Sequence, residues 1–301
     1  MRRRVFAISS LLVTAGLTVQ LAAAPVRVLF LGNSLTAGND VPALVQAMAQ
    51  LQGVEMQYAA VTPGGYAIED HWTDGHQALL ASGNYHVLVL QQGPSTLSES
   101  QANLRQWAVT WATEARRFGT RSALYMIWPV RTQTNGFLLV SQSYRNAATA
   151  AGAEVFPAGE AWQEALRLNP SVQLYSGDDL HALPAGSFLA AMVISRGLFS
   201  LDPARVPASV RGISIPAATL ATFRSVVGTL PPATLTGLDA TEPPPGTTPP
   251  ATTPPPAVTP PATGSSSRGG GGAVSVWFFL ALLALGAARR IGKGDIALLR
   301  R

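Results

Sequence analysis

A serine stands just after a short apolar run near the N-terminus, in the segment Val28-Leu-Phe-Leu-Gly-Asn-Ser-Leu-Thr-Ala-Gly-Asn-Asp40. The apolar residues predict a buried strand, and the pattern that follows predicts a helix, so Ser34 lies in the turn between them. In open α/β folds the ligand crevice lies at the carboxyl edge of the parallel strands. Ser34 is therefore where chemistry is expected.

Three interpretations of this turn compete. Ser34 or Thr36 caps the helix that follows, which is a common role for these residue types. Alternatively, their hydroxyl groups and the backbone at Gly38 cradle the phosphate of a flavin nucleotide. The third interpretation is a serine nucleophile, which requires a base and an orienting acid elsewhere in the chain.

A second polar segment supplies that pair of groups. The loop from Tyr175 to Gly186 contains Asp178 and His181, three residues apart, before an apolar helix begins. One turn can hold both side chains, so that the carboxylate orients the imidazole and the imidazole acts on a serine hydroxyl. An isolated Asp and His in a loop would otherwise be read as a solvated surface pair.

The two segments together resemble the SGNH, or GDSL-type, hydrolase superfamily. The resemblance rests on Gly32-Asn33-Ser34-Leu35 and Asp178-x-x-His181 and covers roughly residues 25–230. It implies a three-layer α/β/α fold, doubly wound around a flavodoxin-like parallel sheet of five strands. It also implies that Ser34 is the nucleophile, His181 the base and Asp178 the orienting acid, with no cofactor.

In this family a glycine after the second strand and an asparagine after the third complete the oxyanion hole, together with the N–H of the serine. The glycine block matches at Thr62-Pro-Gly-Gly-Tyr66, which makes Gly64 and Gly65 the expected donors beside Ser34. The asparagine block does not match, because Gln91 and Gln92 stand where the asparagine is expected. Either glutamine amide could donate to an oxyanion or could only hold the turn.

Other polar or aromatic residues follow predicted strand ends and are expected to line the crevice: Asn33, His71, Trp72 and Arg131. Arg131 would meet an anionic substrate or pair with a carboxylate. His71 and His76 are five residues apart, which is the wrong spacing for two ligands on one helix face, and the chain has no cysteine. We therefore expect no metal site.

The chain alternates strand-like with helix-like patterns, as a doubly wound sheet requires. The predicted strands are 26–31, 54–60, 86–90, 122–128 and 154–156, and their continuous apolar content indicates burial on both faces. The predicted helices are 41–51, 104–118, 137–151, 158–168, 186–199 and 216–229.

The formal net charge of +5 comes from the ends of the chain, because nine of the 21 Lys and Arg residues lie outside residues 25–240. The central part carries 12 basic and 14 acidic residues. Such a balance gives no reason to bind nucleic acid.

Residues 1–24 have the basic, apolar and small-residue parts of a secretory signal peptide that signal peptidase would remove. After the hydrolase domain at 25–230, residues 231–264 are rich in Pro and Thr and predict an extended linker. These features predict export to a periplasm or cell surface.

The tail at 265–301 contains a glycine run, a short apolar stretch from Ala273 to Ala288 and the pair Arg289-Arg290. It resembles the GlyGly-CTERM type of bacterial sorting signal, which a rhomboid-like protease recognises and cuts. Its extension to Arg301 departs from that pattern, so an uncleaved transmembrane helix that anchors the protein is the alternative.

These features together predict an exported serine esterase, held at a membrane at least transiently by its C-terminal helix. An O-acetylated carbohydrate is the favoured substrate, by analogy with the family alone. The alternatives are a lipid esterase or thioesterase of the same fold, and a non-catalytic glycan-binding module that kept the fold.

Overall fold

A computed structural model of the chain describes residues 24–231. Five parallel strands form its main sheet, in the order β2-β1-β3-β4-β5: β1 (Val26–Leu31), β2 (Met56–Val61), β3 (Val87–Leu90), β4 (Arg121–Met126) and β5 (Glu154–Pro157). This is the flavodoxin-like order, in which successive strands are added on one side of β1 and then, from β3 onward, on its other side. The predicted three-layer α/β/α fold is confirmed.

The central strands are buried because both faces of the sheet are covered by helices. Every residue of β3 is buried, and only Arg27 in β1 is partly accessible. In the register of the sheet, Phe30 lies between Ala60 and Val89. The carboxyl ends of β1, β2 and β3 therefore meet at one edge.

The helices form the outer layers: α1 (Ser34–Ala37), α2 (Val41–Leu51), α3 (Ile68–Thr73), α4 (Ala78–Gly83), α5 (Ser98–Arg117), α6 (Gly136–Ala151), α7 (Ala158–Leu168), α8 (Pro184–Phe199) and α9 (Ala217–Thr229). Helix α5 packs along α6, and α2 packs along α8. The nearly all-apolar α8 is buried along almost its whole length.

The structure differs from the sequence-based elements at short segments and at boundaries. Helices α1, α3 and α4 were not predicted, nor was the hairpin of β6 (Ser209–Val210) and β7 (Ile213–Ser214). The second strand begins at Met56 instead of Val54, because the N–H of Val54 still donates to the carbonyl of Ala49 and closes α2. Strand β4 ends at Met126, two residues before its predicted end.

The predicted signal peptide, apart from its last residue, and nearly all of the predicted linker and tail lie outside the described residues. Between residues 24 and 231, none of the helices combines the length and the apolar character needed to cross a membrane. The predictions about export and anchoring are not tested by this part of the chain.

Candidate active site

The turn after β1 places Ser34 at the first position of α1. Asn33 precedes it in an extended conformation, and its Oδ1 accepts from the N–H of Leu35 at 3.0 Å, so Asn33, not Ser34, caps the helix. Position 32 has room only for glycine, because a Cβ there would lie 2.4 Å from Thr36 Oγ1 and 2.7 Å from Gln91 Oε1. The Ser34 side chain is left available for chemistry.

The structure brings Ser34 together with the Asp178 and His181 loop. Ser34 Oγ lies 2.9 Å from His181 Nε2, and His181 Nδ1 lies 2.5 Å from Asp178 Oδ2. An ionised carboxylate can only accept, so Nδ1 carries the hydrogen and Nε2 accepts from the serine hydroxyl. This arrangement can remove a proton from Ser34 as its oxygen attacks an electrophile.

The second oxygen of Asp178 is held by its own loop. Asp178 Oδ1 accepts from Ser176 Oγ at 2.7 Å and from the N–H groups of Leu180 and His181 at 3.0 and 2.9 Å. Burial works against ionisation, but the hydrogen bonds from Ser176, Leu180 and His181 outweigh it and hold the pKa of Asp178 well below its usual range. Asp178 therefore stays ionised beside the imidazole.

Arg131 holds the loop that carries Asp178 and His181 through both its backbone and its side chain. Its N–H donates to the carbonyl of Asp179 at 2.9 Å, and its guanidinium lies 3.3 Å from the Asp179 carboxylate. The guanidinium also stacks 4.8 Å from the centre of the Tyr175 ring. Sequence analysis gave Arg131 two alternative roles, contact with an anionic substrate or pairing with a carboxylate, and in the structure it pairs with the Asp179 carboxylate.

The glycine turn after β2 lies beside the Ser34 turn. Asn33 Nδ2 donates to the carbonyl of Tyr66 at 2.9 Å, which ties the two turns together. Gly65 has a φ of 81°, a conformation that glycine adopts without strain. Within residues 24–231, no hydrogen-bond acceptor is found for the N–H groups of Ser34, Gly64 and Gly65; Gly64 is exposed and Ser34 partly exposed, whereas Gly65 is buried.

The two glutamines after β3 are buried and hydrogen-bonded inside the protein. Gln91 Oε1 accepts from the N–H of Asn33 at 3.0 Å and from Thr36 Oγ1 at 2.7 Å, and its Nε2 donates to the carbonyl of Gln92 at 2.7 Å. Gln92 Nε2 has two acceptors, Ser95 Oγ at 3.0 Å and the carbonyl of Ser100 at 3.4 Å. These contacts favour a structural role for Gln92 and leave Gln91 at most one amide hydrogen for a ligand.

His71 lies on α3, fully buried beneath the Ser34 turn. Its Nε2 is 2.8 Å from the carbonyl oxygen of Gly32, and its Nδ1 is 3.1 Å from Nδ1 of His76. Burial lowers the pKa of His71 to about 4, so its imidazole is neutral near pH 7. His71 contacts the nucleophile turn from inside the protein, not from the crevice.

Trp72, the neighbour of His71, points into an aromatic cluster. Its ring lies 5.2 Å from the Trp111 ring and 6.0 Å from the Trp107 ring, measured between centroids. Trp111 Nε1 in turn donates to the carbonyl of Ile68 at 2.8 Å. These contacts hold α3 against α5, and Trp72 serves that packing.

Comparison with known proteins adds information at the level of the fold. No family model and no curated protein matches the chain. Among solved structures, a DUF4886 family protein from Bacteroides uniformis is 18% identical with a TM-score of 0.58, and the match covers 67% of this chain and 93% of that one. A candidate SGNH hydrolase from Slackia heliotrinireducens is 26% identical over 57% of this chain and 97% of its own, with a TM-score of 0.49.

The Bacteroides protein shares the overall fold. Within that fold the strand order, the serine turn after β1 and the D-x-x-H loop before α8 are arranged as the resemblance predicted. The chain has a three-layer α/β/α fold that is similar to the folds of solved SGNH hydrolases. A lipase/acylhydrolase from Enterococcus faecalis is also similar, at 17% identity over 57% of this chain and 94% of that one, with a TM-score of 0.47.

Two residues that support the Asp178 and His181 loop were not found from the sequence. Trp128 Nε1 donates to the carbonyl of Leu180 at 2.7 Å, inside the loop between Asp178 and His181. Tyr175 donates its hydroxyl hydrogen to the carbonyl of Pro129 at 3.0 Å. The only sequence signal for them was the position of Trp128 and Pro129 just after β4, at the edge where the site lies.

Proposed function

We propose that this protein is an exported serine esterase. The observation that carries the proposal is the hydrogen-bonded chain from Ser34 through His181 to Asp178, at the edge of the sheet where α/β folds place their ligands. Ser34 and Asp178 are 144 positions apart in the sequence, yet folding brings them together with His181 between them. This is the order that nucleophilic catalysis requires. A flavin phosphate loop would not need the imidazole that contacts Ser34 or the carboxylate that holds this imidazole.

In the first step, Ser34 Oγ attacks the ester carbonyl while His181 Nε2 takes the hydroxyl proton. Asp178 holds the resulting imidazolium by its short hydrogen bond to Nδ1. Negative charge develops on the carbonyl oxygen, next to the free N–H groups of Ser34 and of Gly64 or Gly65. These backbone donors form the oxyanion hole in our proposal.

The tetrahedral intermediate then collapses to an acyl-serine. His181 gives its proton to the departing alcohol oxygen, which leaves the acyl group on Ser34. Water attacks this ester with His181 again as the base, and the carboxylic acid departs as Ser34 regains its hydrogen. No cofactor enters the cycle.

We favour an O-acetylated carbohydrate as the substrate. The side chains of Asp178 and His181 are 50% and 34% exposed, so the reacting groups lie at an open surface. An open site accommodates a short acyl group carried on a bulky polymer, and the proposed export would expose the enzyme to acylated polysaccharides. Lipid esters and thioesters would be distinguished from this class by a screen of acyl chain lengths and acetylated glycans.

A non-catalytic glycan-binding module is the second candidate. It is favoured by the absence of the asparagine that completes the oxyanion hole in this family, since Gln91 and Gln92 are engaged in internal hydrogen bonds. The short contacts among Ser34, His181 and Asp178 argue for catalysis, because a binding module does not need them. Turnover of p-nitrophenyl acetate by the purified protein, absent in Ser34→Ala, supports the esterase; binding of acetylated glycans without turnover supports the module.

We also propose that the C-terminal tail holds the enzyme at a membrane. The Pro/Thr linker keeps the catalytic domain away from the bilayer, and the tail either anchors the protein or is cut by a rhomboid-like sorting protease. Signal peptidase would act at the other end. These steps rest on the sequence pattern alone.

A further inference from the structure

One peptide group in the nucleophile turn is held on both of its polar atoms by buried side chains. The carbonyl oxygen of Gly32 lies 2.8 Å from His71 Nε2, and the N–H of Asn33 donates to Gln91 Oε1 at 3.0 Å. These two atoms belong to the same peptide bond, which directly precedes the Asn33-Ser34 pair. His71 comes from α3 and Gln91 from the end of β3, so the peptide is held from two separate elements.

We propose that His71 and Gln91 are positioning residues that fix the orientation of the Gly32–Asn33 peptide, and with it Ser34 and its N–H. The inference rests on the proposed esterase function, which gives the orientation of Ser34 its importance. Gln91, the residue after β3, then acts as a hydrogen-bond acceptor for the backbone N–H next to Ser34. In the SGNH family the residue at this place in the fold is expected to donate to the oxyanion.

The hydrogen on His71 follows from its two partners. A carbonyl oxygen only accepts, so His71 Nε2 carries a hydrogen and donates to Gly32. In the neutral ring Nδ1 is then an acceptor, and His76 Nδ1 must be the donor across the 3.1 Å contact. Two further polar side chains near the pair are Tyr66, whose ring lies 5.3 Å from that of His71, and Asp74, which accepts from Tyr66 Oη at 2.6 Å.

We call the two hydrogen bonds that hold the Gly32–Asn33 peptide, to His71 and to Gln91, the clamp. The clamp affects the proposed oxyanion donors through Asn33. Once its peptide plane is fixed, Asn33 Oδ1 can cap α1 and Nδ2 can hold the carbonyl of Tyr66, next to Gly64 and Gly65. The N–H of Ser34 and the glycine turn are thereby set relative to each other. A shift of about 1 Å in such groups lowers the rate by about 10²-fold, because the donors must meet the transition state and not the ground state.

The test compares two changes at His71 in the full chain. In His71→Leu the donor to Gly32 is lost, and we expect kcat for p-nitrophenyl acetate to fall by about 10- to 100-fold with KM changed by less than about twofold. In His71→Gln the Nε2 amide can replace the imidazole donor, and we expect kcat to return to within about threefold of the wild-type value.

The matched control is His86→Leu. His86 Nδ1 accepts from the N–H of Arg27 at 2.9 Å, so it also holds a backbone group of the first strand, but at the opposite edge of the sheet. A general loss of stability would affect both leucine variants, whereas the clamp predicts that only His71→Leu lowers kcat. Equal kcat in His71→Leu and the wild type, or failure of His71→Gln to recover activity in a folded protein, would overturn the inference.

A measurement on the wild-type protein is independent of activity and of how well the variants fold. If the clamp exists, the amide hydrogen of Asn33 exchanges with solvent as slowly as amides inside β1, such as that of Leu29. Fast exchange at Asn33 beside slow exchange at Leu29 would refute the clamp. The esterase proposal itself would be refuted by a different result, a Ser34→Ala variant that is as active as the wild type.

Discussion

Asp178 and its neighbour Asp179 contact different residues. One carboxylate oxygen of Asp178 holds the imidazole of His181 and the other is satisfied by three donors, whereas Asp179 pairs with Arg131. Two adjacent carboxylates therefore have different functions. In the proposed mechanism Asp178 orients the base, and the pairing of Asp179 with Arg131 holds the loop.

Replacing Asp178 with Asn tests this division. An amide at this position can present a hydrogen to His181 Nδ1 and favour the wrong tautomer, so we expect kcat to fall by about 10³- to 10⁴-fold. Asp179→Asn removes the same charge one residue away and is expected to keep kcat within about threefold. Steady-state kinetics on both variants provide the measurement, and similar losses in the two would contradict the assignment.

At the residue scale, the sequence predicted the groups of the proposed triad but not their supports. Ser34, Asp178 and His181 could be found because their types and spacing carry the chemistry. The contacts of His71 and Gln91 could not, because they depend on which distant backbone group each side chain meets after folding. A polar residue near a strand end indicates that it lies close to the site, but not whether it faces the crevice or the protein interior.

The short helix α1 depends on a glycine at the end of the preceding strand. A methyl group at Gly32 would overlap Thr36 Oγ1 and Gln91 Oε1, both of which are hydrogen-bonded and buried. Gly32→Ala should therefore lower the free energy of unfolding by about 1–3 kcal/mol and reduce kcat, because the turn must shift. Urea denaturation and kinetics measure the two effects.

Gly38 gives the matched control for that change. A Cβ there would meet nothing within 4 Å, and its φ of −56° suits any residue. Gly38→Ala should leave the free energy of unfolding within about 0.5 kcal/mol of the wild-type value. Equal losses at both glycines would show that the crowding at Gly32 is not the cause.

Helix α3 introduces a pH dependence of stability through His71. Its pKa is about 4 in the folded protein, below the usual 6.5, so the unfolded chain binds more protons between these two values. Stability is therefore lost as the pH falls from about 6.5 to 4, by about 3 kcal/mol for this group. Denaturation at pH 7 and pH 4.5 should show a smaller difference in His71→Gln than in the wild type, and an unchanged difference would contradict the burial of a neutral histidine.

At the element scale, long apolar patterns were predicted well and short elements were missed. The strands of the main sheet and the long helices were found because burial imposes a clear period on many residues. Helices α3 and α4 have six residues each, too few for a helical period to emerge. Helix α3 is held by tertiary contacts instead, such as the bond from Trp111 to Ile68.

For the whole molecule, the sequence predicts a division into a catalytic domain and terminal segments that direct its export and attachment to a membrane. The proposed processing predicts a mature protein that begins near Ala24 or Pro25 and, if the tail is a sorting signal, ends between Ser265 and Val274. Intact-mass measurement on protein from the native host tests both ends. A mature chain that retains Arg301 and fractionates with membranes would support the plain anchor, and a soluble full-length chain would contradict both forms of the proposal.

The central claim is that Ser34 becomes acylated during turnover, and the most direct measurement is the covalent labelling of the purified protein by a fluorophosphonate. We predict one adduct per chain, mapped to Ser34 by peptide mass spectrometry, with esterase activity lost in proportion to labelling. Ser34→Ala should remain unlabelled and inactive while it unfolds at nearly the wild-type temperature. An active enzyme that carries no adduct on Ser34, or a folded Ser34→Ala variant with activity within about tenfold of wild type, would contradict the account.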